Sequence, residues 1–296
     1  MDINLSQNTF SRQNPNLKDN YRVEGIIYTE ETDLKKTNHF QDDDLPNLLA
    51  EASLSLKDNN KWLFVIGVGK YDNTDDIIYS ERSAKMFAKI LQKKLGITKR
   101  NSYLLIGNNA TSGAIEDKLK LMLRNINKNS KIYFYYSGHG IPVLPDRIPY
   151  ILPKDKIPDF ISDSHFFKLN NIYNLLSNSK AKEIIAIIDS CFSGSTDGLS
   201  IFKGVAGSVL VPKKITFNHK KMVVITAGRD KQFSNMFYQK GHRLFSYFIM
   251  KSILNNNLTI NTIYKDIFKK VKSESINMGD LKLQEPTLEG NINITL

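Results

Sequence analysis

The sequence has little cysteine: Cys191 is the only one in 296 residues. A single cysteine excludes an intrachain disulfide, so nothing in the sequence indicates an oxidising compartment. Any thiol chemistry of this chain must therefore use Cys191. The sequence also lacks an apolar run near the roughly 18 residues that a membrane-spanning helix needs. Residues 1–7 lack the basic and apolar regions of a signal peptide, and we therefore predict a cytoplasmic location and no membrane partner.

Acidic residues are outnumbered by basic ones, 30 to 41, which gives a formal net charge of +11. Such a charge is found in proteins that bind nucleic acids. However, the lysines are spread along the chain, and the sequence shows no arginine cluster and no zinc-ligand spacing. We interpret the charge as a basic, solvated surface, and net charge is the only feature that supports a nucleic-acid-binding protein.

Short apolar runs alternate with amphipathic stretches from residue 61 onward. This alternation predicts an α/β fold, with a mainly parallel sheet and helices on both faces. The predicted strands are 62–68, 102–106, 132–136, 184–188 and 222–227, with a last edge strand at 292–296. The predicted helices are 81–94, a helix capped by Thr111 that reaches Ile126, 172–176, 244–254 and 260–271.

Two of the apolar runs end abruptly in small and polar residues. Residues 131–140 (KIYFYYSGHG) lead to His139, and residues 184–194 (IIAIIDSCFSG) lead to Cys191. In parallel sheets, ligands bind beyond the carboxyl ends of the strands, so we expect these two side chains to lie together. An ordinary thiol has a pKa near ~8.5, and a neighbouring imidazole activates it by taking its proton. The pattern predicts a cysteine nucleophile with a histidine base.

Glycine and aspartate near the two side chains have predicted roles as well. The backbone N–H groups of Gly140 and Cys191 are candidates for an oxyanion hole that stabilises a tetrahedral intermediate. Asp189 lies two residues before the nucleophile, and residues i and i+2 of a strand point the same way. Asp189 therefore either lines a pocket for a cationic substrate side chain or orients a loop through local hydrogen bonds.

The two loops resemble those of the caspase-like cysteine peptidases, specifically the metacaspase-type and bacterial members. The matching stretches are 135–140 (YYSGHG) and 189–194 (DSCFSG), and a histidine about 50 residues before the cysteine is a known caspase pattern. Weaker similarities follow in the expected order at 226–234, 241–246 and 284–290. The resemblance covers residues 61–296.

The resemblance implies a three-layer caspase–haemoglobinase-like fold with a six-stranded sheet. Its expected parts are an N-terminal extension or pro-segment (1–60), a large p20-like subdomain (61–195), a linker with a processing site (196–221) and a small p10-like subdomain (222–296). The extension either packs along the domain or blocks it. Residues 42–44 and Pro46 are expected to form a loop or linker.

The resemblance also implies an activity: a thiol endopeptidase with a His139–Cys191 dyad that acts on protein or peptide substrates. Asp189 would form the S1 pocket, which binds the P1 residue on the amino side of the cleaved bond, and would favour Arg or Lys there. Ser83 stands where metacaspase-type members often have a second acidic residue, and Glu81 and Asp230 are weaker candidates for that role.

Family members are commonly zymogens, enzymes made inactive and activated by a cut between the subdomains. The linker offers five lysines for such a cut: Lys203, Lys213, Lys214, Lys220 and Lys221. Some metacaspases need calcium. The acidic residues at 42–44 and 72–76 do not match an EF-hand, so no motif supports calcium dependence here, and we predict no metal and no cofactor. The alternative function is a catalytically silent caspase-like interaction or regulatory module. A further alternative is a related peptidase that prefers Asn or Asp at P1, of which the Asp preference is disfavoured because Asp189 would repel an acidic side chain.

Overall fold

The computed structural model describes residues 42–192, 195–196, 199–200, 211–229 and 232–296. The helices of this part of the chain are α1 (Leu45–Glu51), α2 (Ser80–Leu95), α3 (Ser112–Asn125), α4 (Leu169–Ser177), α5 (Leu244–Leu254) and α6 (Ile260–Asn277). None of its helices is both long and apolar enough to cross a membrane.

The strands of the described residues fall into one large sheet and three small hairpins. In chain order they are β1 (Lys61–Gly67), β2 (Ser102–Ile106), β3 (Lys131–Ser137), β4 (Gly140–Val143), β5 (Ile148–Ile151), β6 (Glu183–Asp189), β7 (Ser195–Thr196), β8 (Leu199–Ser200), β9 (Met222–Thr226), β10 (Met236–Phe237), β11 (His242–Arg243) and β12 (Thr287–Gly290).

The large sheet has six strands in the order β12-β9-β6-β3-β1-β2. All neighbours pair in parallel except β12, which runs antiparallel to β9. Helices cover both faces, so the predicted α/β fold with a mainly parallel six-stranded sheet is confirmed. The chain steps from β1 to β2 on one side and then to β3 on the other. The carboxyl ends of β1 and β3 therefore form a topological switch point, where open α/β sheets bind their ligands.

The core consists of two apolar layers, one on each face of the sheet. Successive strand residues point to opposite faces. In β1, Phe64 and Ile66 belong to the layer that contains the apolar sides of α3 and α4. Leu63 and Val65 belong to the layer that contains those of α2, α5 and α6. Because β1, β3 and β6 are buried on both faces, their carboxyl ends are held firmly at one edge of the sheet.

Several local predictions are corrected by the structure. The last edge strand is Thr287–Gly290, not residues 292–296. Gly290 has a φ of 99°, a conformation that favours glycine, and the chain turns away from β9 after it. The alternating pattern at 292–296 therefore contributes only an isolated bridge at Thr295.

Two further elements were missed. The proline-containing segment after His139 forms the β4–β5 hairpin, for which the sequence analysis predicted no strand. Pro46 was expected in a loop or linker, but it lies in the first turn of α1, where a missing backbone N–H costs nothing. Residues 42–60 pack along the domain, with α1 against α5.

Candidate active site

His139 follows the end of β3 and is almost completely buried, with 1% of its surface exposed. The hydroxyl groups of two tyrosines hold its backbone. Its N–H donates to the Tyr71 hydroxyl at 2.7 Å, and the Tyr136 hydroxyl donates to its carbonyl oxygen at 2.5 Å. The Tyr71 ring lies 4.7 Å from the imidazole, measured between ring centroids. These contacts fix the direction in which the imidazole points.

The imidazole itself is oriented by a backbone carbonyl. His139 Nε2 lies 2.7 Å from the Asp75 carbonyl oxygen, in the loop after β1. A carbonyl oxygen only accepts, so Nε2 carries the hydrogen and Nδ1 is the acceptor nitrogen of the neutral ring. Burial, helped by the positive charge of Arg243, lowers the pKa of His139 to about 4, and the Asp75 hydrogen bond opposes this only in part. His139 is therefore neutral at pH 7 and able to accept a proton.

Cys191 follows the end of β6, the strand next to β3 in the sheet. The Ser190 hydroxyl donates to the Gly138 carbonyl oxygen at 2.8 Å, which ties the cysteine loop to the histidine loop. A Cβ atom at Gly140 would lie 2.5 Å from the Cys191 carbonyl oxygen and equally close to the Phe192 ring. Only glycine fits at this position, because the two loops approach each other so closely.

His139 and Cys191 line one cavity, whose volume is about 20 Å³. That space holds about one water molecule. The backbone N–H of Ser234 donates to Cys191 Sγ, so the loop 232–235 contacts the sulfur of this partly exposed residue. A wider depression of about 700 Å³ along α4 contains none of the predicted site residues. The described residues lining the small cavity are Ile77, Gly138, His139, Ser190, Cys191, Phe233, Ser234 and Arg243.

Asp189 lies behind this cavity and does not line it. Its carboxylate is buried and accepts three hydrogen bonds. The Ser234 hydroxyl donates to Oδ1, while the Ser246 hydroxyl and the Ser246 backbone N–H, the latter at 3.2 Å, donate to Oδ2. These bonds join β6 to the loop 232–235 and to α5. They match the loop-orienting interpretation of Asp189, and its role in substrate binding stays a prediction.

Of the two weaker candidates for a second acidic residue, Glu81 is not among the described residues that line the cavity. The Glu81 carboxylate packs beside Gly69 and Gly107 and lies 3.8 Å from Lys85 Nζ. Asp230 lies outside the described residues. Ser83 is buried, and its hydroxyl oxygen accepts the Arg243 backbone N–H at 3.0 Å.

Sequence reasoning missed a buried polar chain that starts in the N-terminal region. Asp43 accepts hydrogen bonds from Arg82 at 2.5 Å and from His242 Nε2 at 3.2 Å. His242 Nδ1 lies 3.2 Å from the Ser83 hydroxyl, which in turn binds the backbone of Arg243. Burial lowers the pKa of His242, so the ring is neutral and its Nε2–H donates to Asp43. Burial alone would raise the pKa of Asp43, but the hydrogen bonds from His242 and Arg82 lower it.

Arg243 was missed for a simple reason. It lies in a stretch, 241–246, that was noted only for its similarity to the start of a family helix, and nothing in the local pattern distinguishes it from a surface arginine. Tyr71 and Asp75 likewise carry no local signal, because Asp75 acts through its backbone carbonyl.

The fold and the site together define a class: three-layer α/β proteins in which neighbouring parallel strands present a thiol and an imidazole at one edge of the sheet. Within that class, the chain belongs to the caspase domain family, whose model matches residues 60–293. The resemblance to the caspase-like peptidases is thereby confirmed. Family membership supports a caspase-like peptidase in general, with proteins as substrates.

Solved structures show the same fold. Caspase-1 from Spodoptera frugiperda matches with a TM-score of 0.53 and 12% identity, covering 83% of this chain and 91% of that one. A protein from Geobacter sulfurreducens matches with a TM-score of 0.53 and 15% identity, covering 77% and 92%. The Drosophila initiator caspase Dronc gives a TM-score of 0.51 and 13% identity, covering 83% and 87%. A search of curated proteins found no match.

Proposed function

We propose that this protein is a cysteine endopeptidase whose nucleophile is Cys191 and whose general base is His139. The observation that carries the proposal is the shared cavity, which is lined by Cys191 and by a neutral imidazole with Nδ1 as its acceptor nitrogen. Hydrogen bonds hold both the backbone of His139 and the Nε2 atom of its buried imidazole, as a positioned base requires.

The proposed reaction needs only groups of this chain, the substrate and water. His139 Nδ1 takes the thiol proton while Cys191 Sγ attacks the substrate carbonyl carbon. The N–H groups of Gly140 and Cys191 stabilise the oxyanion. The tetrahedral intermediate then collapses, the amine leaves with the proton from His139, and a thioester remains. Water, deprotonated by His139, attacks that thioester; the C–S bond breaks, the acid product leaves, and the Cys191 thiolate regains its proton from His139. The proposed reaction uses neither a metal nor a cofactor.

The proposed P1 residue is Arg or Lys, bound through the carboxylate of Asp189. A buried carboxylate that accepts hydrogen bonds at the base of the site suits a cationic side chain. A cavity of about 20 Å³ does not admit such a side chain, so the loop 232–235 has to move before substrate binds. This closed arrangement supports a latent, zymogen-like form of the enzyme, and a cytoplasmic location remains part of the proposal.

Peptides that differ only at P1 test the activity. We expect cleavage after Arg or Lys in the wild type and none in Cys191→Ala or His139→Gln. His165→Gln is the matched control, because His165 is an exposed imidazole outside the cavity, and it should keep wild-type activity. Cleavage that persists in Cys191→Ala would show that the thiol is not the nucleophile.

The hydrogen bond from the Ser234 N–H to the sulfur also favours a second candidate, the silent interaction or regulatory module. Ser83 in place of an acidic residue points the same way. In that case the wild type should cleave no peptide of the P1 series, before or after a protease cuts the linker, while a partner protein still binds.

A further inference from the structure

Arg243 is a buried cation at the nucleophile's cavity. The residue is 6% exposed and lines the cavity together with His139 and Cys191. Its Nη2 donates to the Ser234 carbonyl oxygen and, at 3.1 Å, to the Ser234 hydroxyl. That hydroxyl in turn donates to Asp189 Oδ1. The guanidinium is thus joined through Ser234 to the carboxylate proposed to bind a basic P1 residue.

The guanidinium lies on the cavity side of this chain, and Asp189 lies behind it. Among the described residues that line the cavity, Arg243 is included and Asp189 is not. An incoming basic side chain would meet a like charge before it reached the carboxylate, and the two cations would compete for the same acceptors. The cavity itself leaves room for about one water molecule.

The hydrogen bonding of Arg243 is incomplete. Its Nε is buried and has no hydrogen-bond partner among the described residues. A buried donor without an acceptor is unfavourable, and that penalty disappears when the side chain moves into water. The backbone is anchored independently, since the Arg243 N–H donates to Ser83 and the chain continues through His242 to Asp43. The side chain can therefore leave the cavity while its Cα stays in place.

We propose that Arg243 is an internal occupant of the S1 subsite, where its guanidinium takes the place of the substrate's basic side chain. A basic P1 residue binds only when Arg243 swings out, so Arg243 determines how readily the enzyme accepts such substrates. This inference rests on the proposed function, because it assigns Asp189 to the recognition of P1.

Binding of benzamidine, a small amidinium compound, tests the inference without catalysis. Calorimetric titrations would compare Cys191→Ala with Cys191→Ala/Arg243→Ala and Cys191→Ala/Arg243→Gln; the Gln variant keeps much of the packing if the Ala variant folds poorly. Removing the competing cation should tighten benzamidine binding by about tenfold or more, the value of a charge-assisted hydrogen bond. Adding Asp189→Asn should abolish the gain.

Arg229→Ala is the matched control. Arg229 is a half-exposed arginine of the same loop region, lies 3.3 Å from Glu285 and does not line the cavity. Its removal should leave benzamidine binding unchanged.

Equal benzamidine binding with and without Arg243 would overturn the inference, even if Cys191-dependent cleavage is observed. So would a wild type that cleaves after Asp or Glu and loses that activity in Arg243→Ala, because Arg243 would then be a receptor for acidic side chains. Conversely, benzamidine binding that depends on Arg243, without any cleavage that depends on Cys191, would support the occupation of S1 by Arg243. The same result would contradict the proposed peptidase activity.

Discussion

His139 lies in surroundings that disfavour its charged form. Burial lowers its pKa to about 4, below the ordinary value of 6.5. We expect kcat/KM to decrease only as the pH falls towards 4, since the neutral imidazole persists to that point. A pH–rate profile with Arg-P1 peptides measures this limb. An acid limb near 6.5 would show that the imidazole is solvated in the working enzyme.

The same lowered pKa makes folding stability depend on pH. The unfolded chain binds a proton at His139 below 6.5, whereas the folded chain does so only near 4. The contribution of the neutral His139 to the free energy of unfolding is therefore complete above pH 6.5. It decreases as the pH falls from 6.5 to 4, by about 3 kcal/mol in total. In His139→Gln this part of the pH dependence should vanish from denaturant titrations. An unchanged profile would contradict the assigned burial.

Gly140 shows how closely the two loops approach. In Gly140→Ala the new methyl group would lie 2.5 Å from the Cys191 carbonyl oxygen, so the cysteine loop has to shift. We expect loss of most peptidase activity and a loss of about 1–3 kcal/mol in the free energy of unfolding.

Gly113→Ala is the control, because a Cβ there has no atom within 4 Å and lies in the first turn of α3. It should stabilise the protein by about 0.5–1 kcal/mol and leave activity unchanged. Equal effects of the two substitutions would show that loop contact is unimportant at Gly140.

At the scale of elements, the short segment 42–44 before α1 is bound to α2 and α5. Asp43 binds Arg82 and His242, and the next residue, Asp44, accepts hydrogen bonds from Tyr247 at 2.5 Å and from Lys251 at 2.6 Å. These contacts hold α5 and His242, the residue before Arg243. The segment is therefore structural, although its acidic composition predicts a loop or linker.

Asp43→Asn removes a carboxylate whose side chain is 3% exposed. We expect the free energy of unfolding to decrease by about 2 kcal/mol, because the charged hydrogen bonds to Arg82 and His242 are lost. Asp42→Asn, an exposed neighbour, should change it by less than about 0.5 kcal/mol. Urea titrations of the two variants measure the difference, and equal values would contradict a buried role for Asp43.

At the scale of the whole molecule, the linker joins the two predicted subdomains. Lys213 and Lys214 are exposed, whereas Lys221 directly precedes β9 and its Nζ donates to the Ser179 carbonyl oxygen at 2.7 Å. A protease needs an extended, accessible segment, which favours the first pair as the site of self-processing. Lys203 lies outside the described residues.

We expect intact-mass analysis to show fragments cut after Lys213 or Lys214 in the wild type and a single uncut chain in Cys191→Ala. Replacing both lysines by alanine should prevent that cut, while Lys220→Ala should not. Identical uncut masses for wild type and Cys191→Ala, also after prolonged incubation, would count against self-processing.

Periodicity was sufficient for several strands and helices of the domain. The strand 102–106 and the helix 244–254 were predicted with their observed ends, and Thr111 caps α3 as expected. These elements have apolar faces that repeat at the spacing of a strand or a helix. The edge strand was misplaced because residues 292–296 alternate like a strand, while the pairing with β9 depends on where the chain returns to the sheet.

The sequence by itself determined the α/β class and the strand ends that carry His139 and Cys191, because apolar runs ending in glycine and polar residues are local patterns. Only the tertiary structure decided what surrounds them. Whether the cavity presents the carboxylate of Asp189 or the guanidinium of Arg243 depends on contacts between β6, the loop 232–235 and α5. Asp189 and Arg243 are distant in sequence and are brought together only by packing. Local sequence patterns therefore do not indicate which of the two charged groups faces the sulfur.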